Sequence, residues 1–148
     1  MGKDLFTGYS HVGIYVTDME EAIRFYQEVL FFDFMFRLVN ESDGLKIAML
    51  KLNNCIVELL EPPEDNINTI VPKEKVVEGA NATINHLAIL VTDIEKAVEH
   101  VRSFGYEFET RGVYFVPCFG SEDLDLNVTF FRGPNGERIE LFQEIRKS

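Results

Sequence analysis

The chain has 148 residues, 46% of them hydrophobic, with thirteen phenylalanines, no tryptophan and a net charge of −11. That length and apolar share suit one well-filled domain, and the charge sets the surface against nucleic acid and against an anionic membrane. Cys55 and Cys118 are too few for a disulfide framework and form no Cys-x-x-Cys pair, no apolar run reaches bilayer-spanning length, and "MGKDLFTGYS" lacks the apolar stretch of a signal peptide, so a cytoplasmic location is expected.

The first predicted element is a strand over "HVGIYV". Val12, Ile14 and Val16 alternate with His11, Gly13 and Tyr15, so the two sets occupy opposite faces. "TD" follows, with Thr17 and Asp18 as helix-capping types and glutamates in the next turn. Ala22, Ile23, Tyr26 and Leu30 then form the apolar stripe of a helix. Three strands come next, over "FFDFMFRLV", "LKIAMLKL" and "CIVELLE", with "ESDG" and "NN" as turns. The segment at 63–82, rich in Pro and Gly, reads as a linker with room for a short helix.

The chain then repeats itself. Residues 85–97 lie over 10–22 at a constant spacing of 75, with seven of thirteen positions identical, His86 on His11 among them. Leu87, Ile89 and Val91 face one way, while His86, Ala88 and Leu90 face the other. Asp93 caps a second helix with Ile94, Ala97, Val98 and Val101 as its stripe. "YEFETRGVYFV", "NVTFFRG" and "ERIELFQ" are the expected strands of the second half, the last two joined by the Asn-Gly turn "GPNGE". The predicted fold is therefore α+β: two tandem β-α-β-β-β modules, at about 9–62 and 83–145, forming a curled mixed sheet around a metal-binding cleft.

Each module carries one histidine at the start of its first strand and one carboxylate in its last. These are His11 with Glu58, in "IVELL", and His86 with Glu140, in "RIELF". A carboxylate interrupting an apolar strand needs a partner or a metal. Repetition of the pair points to four ligands, His11, Glu58, His86 and Glu140, for one divalent cation. The mixed nitrogen and oxygen set suits Ni²⁺ or Zn²⁺ foremost, with Co²⁺, Mn²⁺ and Fe²⁺ also compatible. Gly13 and Ala88 stand two residues after the histidines on the same face, where small side chains leave space beside a ligand. His100 lacks a counterpart, since Phe25 holds that place in the first module, and is expected on a half-exposed helix face. Cys55 is expected as a packed thiol and Cys118 as a loop thiol. Tyr15, Phe119 and Phe130 are expected to line the cleft.

"HVGIYVTDMEEAIRFYQEVLFF", "NHLAILVTDIEKAVEHVRSFGYEF" and "FFRGPNGERIELFQ" together resemble the vicinal oxygen chelate superfamily over nearly the whole chain. That superfamily includes glyoxalase I, methylmalonyl-CoA epimerase, extradiol dioxygenases and fosfomycin- or bleomycin-resistance proteins, and its ligand positions fall on His11, Glu58, His86 and Glu140. The His/Glu/His/Glu set is similar to glyoxalase I (lactoylglutathione lyase). The resemblance implies a metal-dependent lyase or isomerase that moves a proton through an enediolate, with Glu140 as ligand and base and Glu58 as ligand or second acid/base. The implied substrate is a small molecule, a thiol adduct of a 2-oxoaldehyde or a CoA thioester, and a homodimer is expected. Tyr15 stands where glutathione-dependent relatives carry arginine, which implies a different thiol. The alternatives are an epimerase-like enzyme, suggested by "KIAMLKLNNCIVELLEP", and a metal-free binding or resistance protein on the same fold.

Overall fold

In the computed structural model, which describes residues 5, 7–65, 72–78 and 84–147, each half of the chain builds its own four-stranded mixed sheet. The chain divides into two units, residues 1–70 and 71–148. The fold class is α+β, as the alternation of period-two and period-3.6 segments predicts.

In the first unit, β1 (Val12–Tyr15) leads into α1 (Met19–Arg24), which continues as a π-helical turn over Phe25–Val29. β2 (Asp33–Val39), β3 (Lys46–Leu52) and β4 (Cys55–Glu61) follow, and the sheet order is β1-β4-β3-β2. β1 pairs parallel to β4, and the rest pair antiparallel. Asp18 starts the helix by accepting from the Glu21 amide at 3.1 Å, which satisfies one of the first-turn donors that have no intrahelical partner. The helix stripe predicted from sequence, Ala22, Ile23, Tyr26 and Leu30, is buried. It packs over a sheet face made by Ala48 and Leu50 of β3 and by Leu59 and Val57 of β4, which stand directly opposite them. Phe31 takes the left-handed position that ends the helix, at φ 60°, and the Phe32 amide reaches back to the Tyr26 carbonyl at 2.8 Å. Glycine usually fills that position.

The second unit repeats the plan. α2 (Lys73–Val77) is a single short turn within the 63–82 linker, which the sequence reads as having room for a short helix. Residues 66–71 and 79–82 of that linker lie outside the described residues. β5 (Leu87–Leu90), α3 (Ile94–Ser103), β6 (Tyr114–Val116), β7 (Leu124–Arg132) and β8 (Arg138–Arg146) complete it, with sheet order β5-β8-β7-β6. Asp93 caps α3 through the Lys96 amide at 3.1 Å, as Asp18 caps α1. Glu61 and Gln143 occupy equivalent places on the last strands, and each accepts from the first amide of its helix, Met19 and Ile94.

The sequence predicts one continuous strand over 106–116, and the chain does otherwise. Only Tyr114–Val116 join the sheet, with a single bridge from Phe108 to Phe131. Between them the chain reverses, with the Gly112 amide on the Glu109 carbonyl at 2.9 Å and Gly112 at φ 67°. The glycine makes the reversal available, and tertiary contacts made by Phe108 and Glu109 use it. The repeat spacing accordingly grows from 75 at the histidines to 82 at the glutamates, with the added residues between α3 and β7.

The "GPNGE" turn between β7 and β8 forms as predicted, closed by the Gly133 amide on the Glu137 carbonyl at 2.8 Å. Gly136 sits at φ 86°, and a Cβ there would meet the Lys73 carbonyl oxygen at 3.2 Å. Gly136→Ala therefore forces a left-handed alanine against backbone. It is expected to lower unfolding stability by about 1–3 kcal/mol, read from urea denaturation midpoints.

Candidate functional site: two histidine–carboxylate pairs

The last strand of each unit runs down the centre of its sheet, so its side chains have a neighbouring strand on both sides. In the first unit, Glu58 lies between Gly13 of β1 and Met49 of β3, on the face opposite Val57 and Leu59. His11 immediately precedes β1, and its Nε2 lies 3.5 Å from Glu58 Oε1. Its Nδ1 lies 2.9 Å from the Ser10 hydroxyl. The space beside Gly13 is tight. A Cβ there would sit 3.3 Å from Leu60 Cδ1 and 3.7 Å from Glu58 Oε1.

In the second unit, Glu140 lies between Ala88 of β5 and Phe130 of β7. His86 Nε2 is 3.2 Å from Glu140 Oε1. The two pairs match in register and in chemistry, and they differ in burial. The Glu140 side chain is 10% exposed, against 25% for Glu58. Phe130, which is paired with Glu140, meets the His86 ring edge-on at 5.5 Å, and the position paired with Glu58 in the first unit is Met49. Burial pushes the Glu140 carboxyl above its usual range, and the charges of His86 and Arg138 and the His86 hydrogen bond only partly offset it.

Around His86 lies a polar chain that the sequence reading did not anticipate. Arg138 holds Glu109 with a two-pronged fork, Nε to Oε2 and Nη2 to Oε1, both at 2.8 Å. Its remaining prong, Nη1, donates to Asn85 Oδ1 at 3.0 Å. The same Asn85 oxygen lies 2.7 Å from His86 Nδ1. The guanidinium also lies over the Phe130 ring, 3.8 Å from its centre. Arg138 could have been found from spacing, because it stands two residues before Glu140 on one strand and so shares its face. Glu109 had no such signal, because its contact depends on the reversal at Gly112.

The Arg138 fork holds the Glu109 carboxyl below its ordinary value of 4.5, against the opposing effect of burial. An acid held below its unfolded value stabilises the fold above that value and loses the contribution as pH falls through the folded one. Glu109→Gln is therefore expected to melt below the wild type at neutral pH and to converge with it as pH falls below the carboxyl's ordinary value of 4.5. Thermal melts across that range read the difference.

The chemistry of each pair can be stated from its donors and acceptors. A carboxylate only accepts, and an unprotonated imidazole nitrogen only accepts. An Nε2 and an Oε1 at 3.2 Å or 3.5 Å thus require a proton or a cation to reconcile them. Each pair supplies one nitrogen and one carboxylate, donors of the kind that suit a divalent ion such as Zn²⁺, Ni²⁺ or Mn²⁺. Within each unit, no third His, Cys, Asp or Glu among the described residues joins the pair.

The remaining predicted residues fall as follows. Phe130 is buried against His86, while Tyr15 and Phe119 are exposed. Cys55 is half-buried, and burial pushes its thiol up. Cys118 is exposed, in a left-handed conformation, with its amide donating to Asp125 at 3.0 Å. His100 is half-buried on α3, its ring 5.2 Å from that of Phe104. Among the described residues no helix is long and apolar enough to cross a membrane.

The chain is similar to several known proteins. The chain is 27% identical over 135 residues, 90% of its length and 94% of the relative's, to the uncharacterized protein YaeR of Escherichia coli (strain K12). It is 27% identical over 141 residues, 95% of its length and 99% of the relative's, to the uncharacterized protein YwkD of Bacillus subtilis (strain 168). Among solved structures, a glyoxalase family protein from Enterococcus faecalis is similar with a TM-score of 0.71 at 23% identity, covering 93% of this chain and 98% of that one. The fosfomycin resistance protein FosX from Listeria monocytogenes, in complex with Mn(II) and sulfate, is similar with a TM-score of 0.63 at 13% identity, covering 93% and 92%. At these identities the solved structures speak to the fold. A sequence profile decides the family by matching residues 10–118, most of the chain. The chain belongs to the Glyoxalase/Bleomycin resistance protein/Dioxygenase superfamily, the vicinal oxygen chelate group that the repeated strand-helix units had suggested.

Proposed function

We propose that the protein is a divalent-metal-dependent lyase or isomerase of the glyoxalase type, in which His11, Glu58, His86 and Glu140 hold one ion. The observation that carries this reading is the pairing within each unit of an imidazole Nε2 with a carboxylate oxygen, at 3.5 Å and 3.2 Å. Mn(II) in the FosX complex supports a divalent ion on this fold, and Ni²⁺ or Zn²⁺ suits two imidazoles and two carboxylates. The bound ion would supply Lewis-acid polarisation of neighbouring substrate oxygens.

The chain's own residues do the rest. Glu140 is the better base. Its environment disfavours the charged carboxylate, so taking a proton from a substrate carbon relieves a cost already present in the folded state. Glu58, more exposed and without Phe130 beside it, is the steadier ligand and the second acid/base. Phe130 shields the Glu140 side from water. The substrate class is a thiol adduct of a 2-oxoaldehyde or a CoA thioester, and Tyr15 in place of an arginine favours a thiol other than glutathione. The protein is proposed to act as a cytoplasmic homodimer.

The test begins with metal. The purified protein is expected to hold one Ni²⁺ or Zn²⁺ per chain by elemental analysis, and His11→Gln and His86→Gln are each expected to lower that occupancy. The loaded protein is then given methylglyoxal with a panel of thiols, and separately an α-deuterated CoA thioester. Isomerisation of the adduct supports the glyoxalase reading, while loss of deuterium moves the assignment to epimerisation. A metal-free protein that binds small molecules unchanged overturns both.

A further inference from the structure

The two pairs are built alike at the imidazole Nε2 and differently at the Nδ1. Ser10 offers His11 a hydroxyl, which donates or accepts as the ring requires. Asn85 offers His86 an amide, and Arg138 decides which end of that amide faces inward. Nη1 of Arg138 has only hydrogens to give, so the Asn85 atom 3.0 Å from it is the carbonyl oxygen. That oxygen, 2.7 Å from His86 Nδ1, can only accept. A proton on Nδ1 satisfies that oxygen, and Nε2 is then the atom that meets Glu140 Oε1 at 3.2 Å, a contact closed by a second ring proton in the metal-free protein or by a cation.

The arginine is itself fixed. Its other two prongs are occupied by Glu109 and its flat face by Phe130. Rotating the Asn85 amide would place its NH₂ against the guanidinium, donor against donor. No equivalent exists in the first unit, where Ile56 stands two residues before Glu58.

We infer that Arg138 is a positioning residue for His86: anchored by Glu109, it orients the Asn85 amide so that the imidazole keeps a proton on Nδ1 and presents Nε2 toward Glu140. The second pair is thereby set before any ligand arrives, whereas the first pair adjusts. Outer partners of this kind fix ring orientation and raise ligand basicity. The consequence for cation binding rests on the function proposed above, while the proton position does not.

The experiment uses the full chain labelled with ¹⁵N-histidine, free of metal, with His86 assigned by the loss of its signals in His86→Gln. Imidazole proton–nitrogen correlation spectra of the wild type are expected to show Nδ1 of His86 protonated. Asn85 is exposed, so replacing it leaves the fold intact. Asn85→Leu is expected to lose the Nδ1 proton signal. Asn85→Asp keeps an acceptor at the same place and is expected to restore it, a rescue that a merely structural role would not produce. Arg138→Met is expected to leave the amide free to turn, so the Nδ1 signal weakens or splits. Zn²⁺ competition titrations read the same variants, with Asn85→Leu and Arg138→Met expected to bind about 10–100-fold more weakly than the wild type and Asn85→Asp close to it. A wild-type His86 with bare Nδ1, or an Nδ1 signal unchanged in both Asn85→Leu and Arg138→Met, overturns the inference. Absence of Zn²⁺ binding by the wild type counts against the proposed function instead, and leaves the proton position to be judged on the spectra.

Discussion

Replacing Glu140 by glutamine is expected to abolish turnover and cation binding while leaving the empty protein as stable as before, or more so. The two effects have different origins. In the proposed role of Glu140 as ligand and base, its loss removes about 10²–10⁴ in rate from proton transfer alone. Cation affinity falls as well, because an amide oxygen brings no charge to a divalent ion. Stability moves the other way. Burial holds the Glu140 carboxyl above its usual range, so at neutral pH its charge is a net burden on the fold. A neutral isostere removes that burden and keeps an oxygen or NH₂ for the His86 Nε2. The measurement is a pair of melting curves, with and without Zn²⁺. Wild type is expected to gain Tm with the ion and Glu140→Gln to gain little, from an equal or higher starting point. A large loss of Tm in the metal-free variant would show that Glu140 is a structural ion-pair partner. Glu58→Gln is expected to share the loss of the Zn²⁺-induced shift.

Phe131→Ala is expected to have the largest effect on folding, about 3–5 kcal/mol. Its ring is fully buried in the second unit, directly opposite Ile139 in the β7–β8 pairing. Phe108 packs against it at 5.1 Å and Tyr106 at 6.0 Å, and the bridge to Phe108 ties the 104–113 segment to the sheet. Truncation leaves a cavity under that segment and frees Glu109, the carboxylate that anchors Arg138. A domain is typically stable by about 5–15 kcal/mol, so the loss is a sizeable share of the total. Urea titration is expected to show a lower midpoint, and His86 resonances are expected to broaden as its outer partner loosens.

The sequence made visible what repeats and what alternates. His11 and His86, Glu58 and Glu140, Asp18 and Asp93 were recognisable because each appears twice in the same setting, and strand and helix periods placed them on defined faces. Gly13 and Ala88 read as space beside the histidines, and in register they are the residues paired with Glu58 and Glu140. What repetition could not show is what the halves do not share. Asn85 stands where the first unit has Ser10 and Arg138 where it has Ile56, and Glu109 reaches Arg138 only because Gly112 reverses a stretch whose aromatic residues read as strand. Local propensity favoured the strand, and contacts with Phe131 and Arg138 outweighed it.

β2 carries a different consequence. It is seven residues long, and every one of them is exposed, including Phe34, Met35, Phe36, Leu38 and Val39. Among the described residues it is an outer strand, bonded on one side only, whereas β6, the outer strand of the other sheet, has three residues. Long, greasy, half-bonded strands recruit other chains and seed aggregates unless something blunts them. Here the irregularity between Phe34 and Phe36 and the charge on Arg37 interrupt the edge, and repulsion from the overall charge of −11 opposes non-specific association. Salt shortens the reach of that repulsion to about 8 Å at physiological ionic strength, so the colloidal behaviour of this protein is governed by the ionic strength of its solution as much as by its fold.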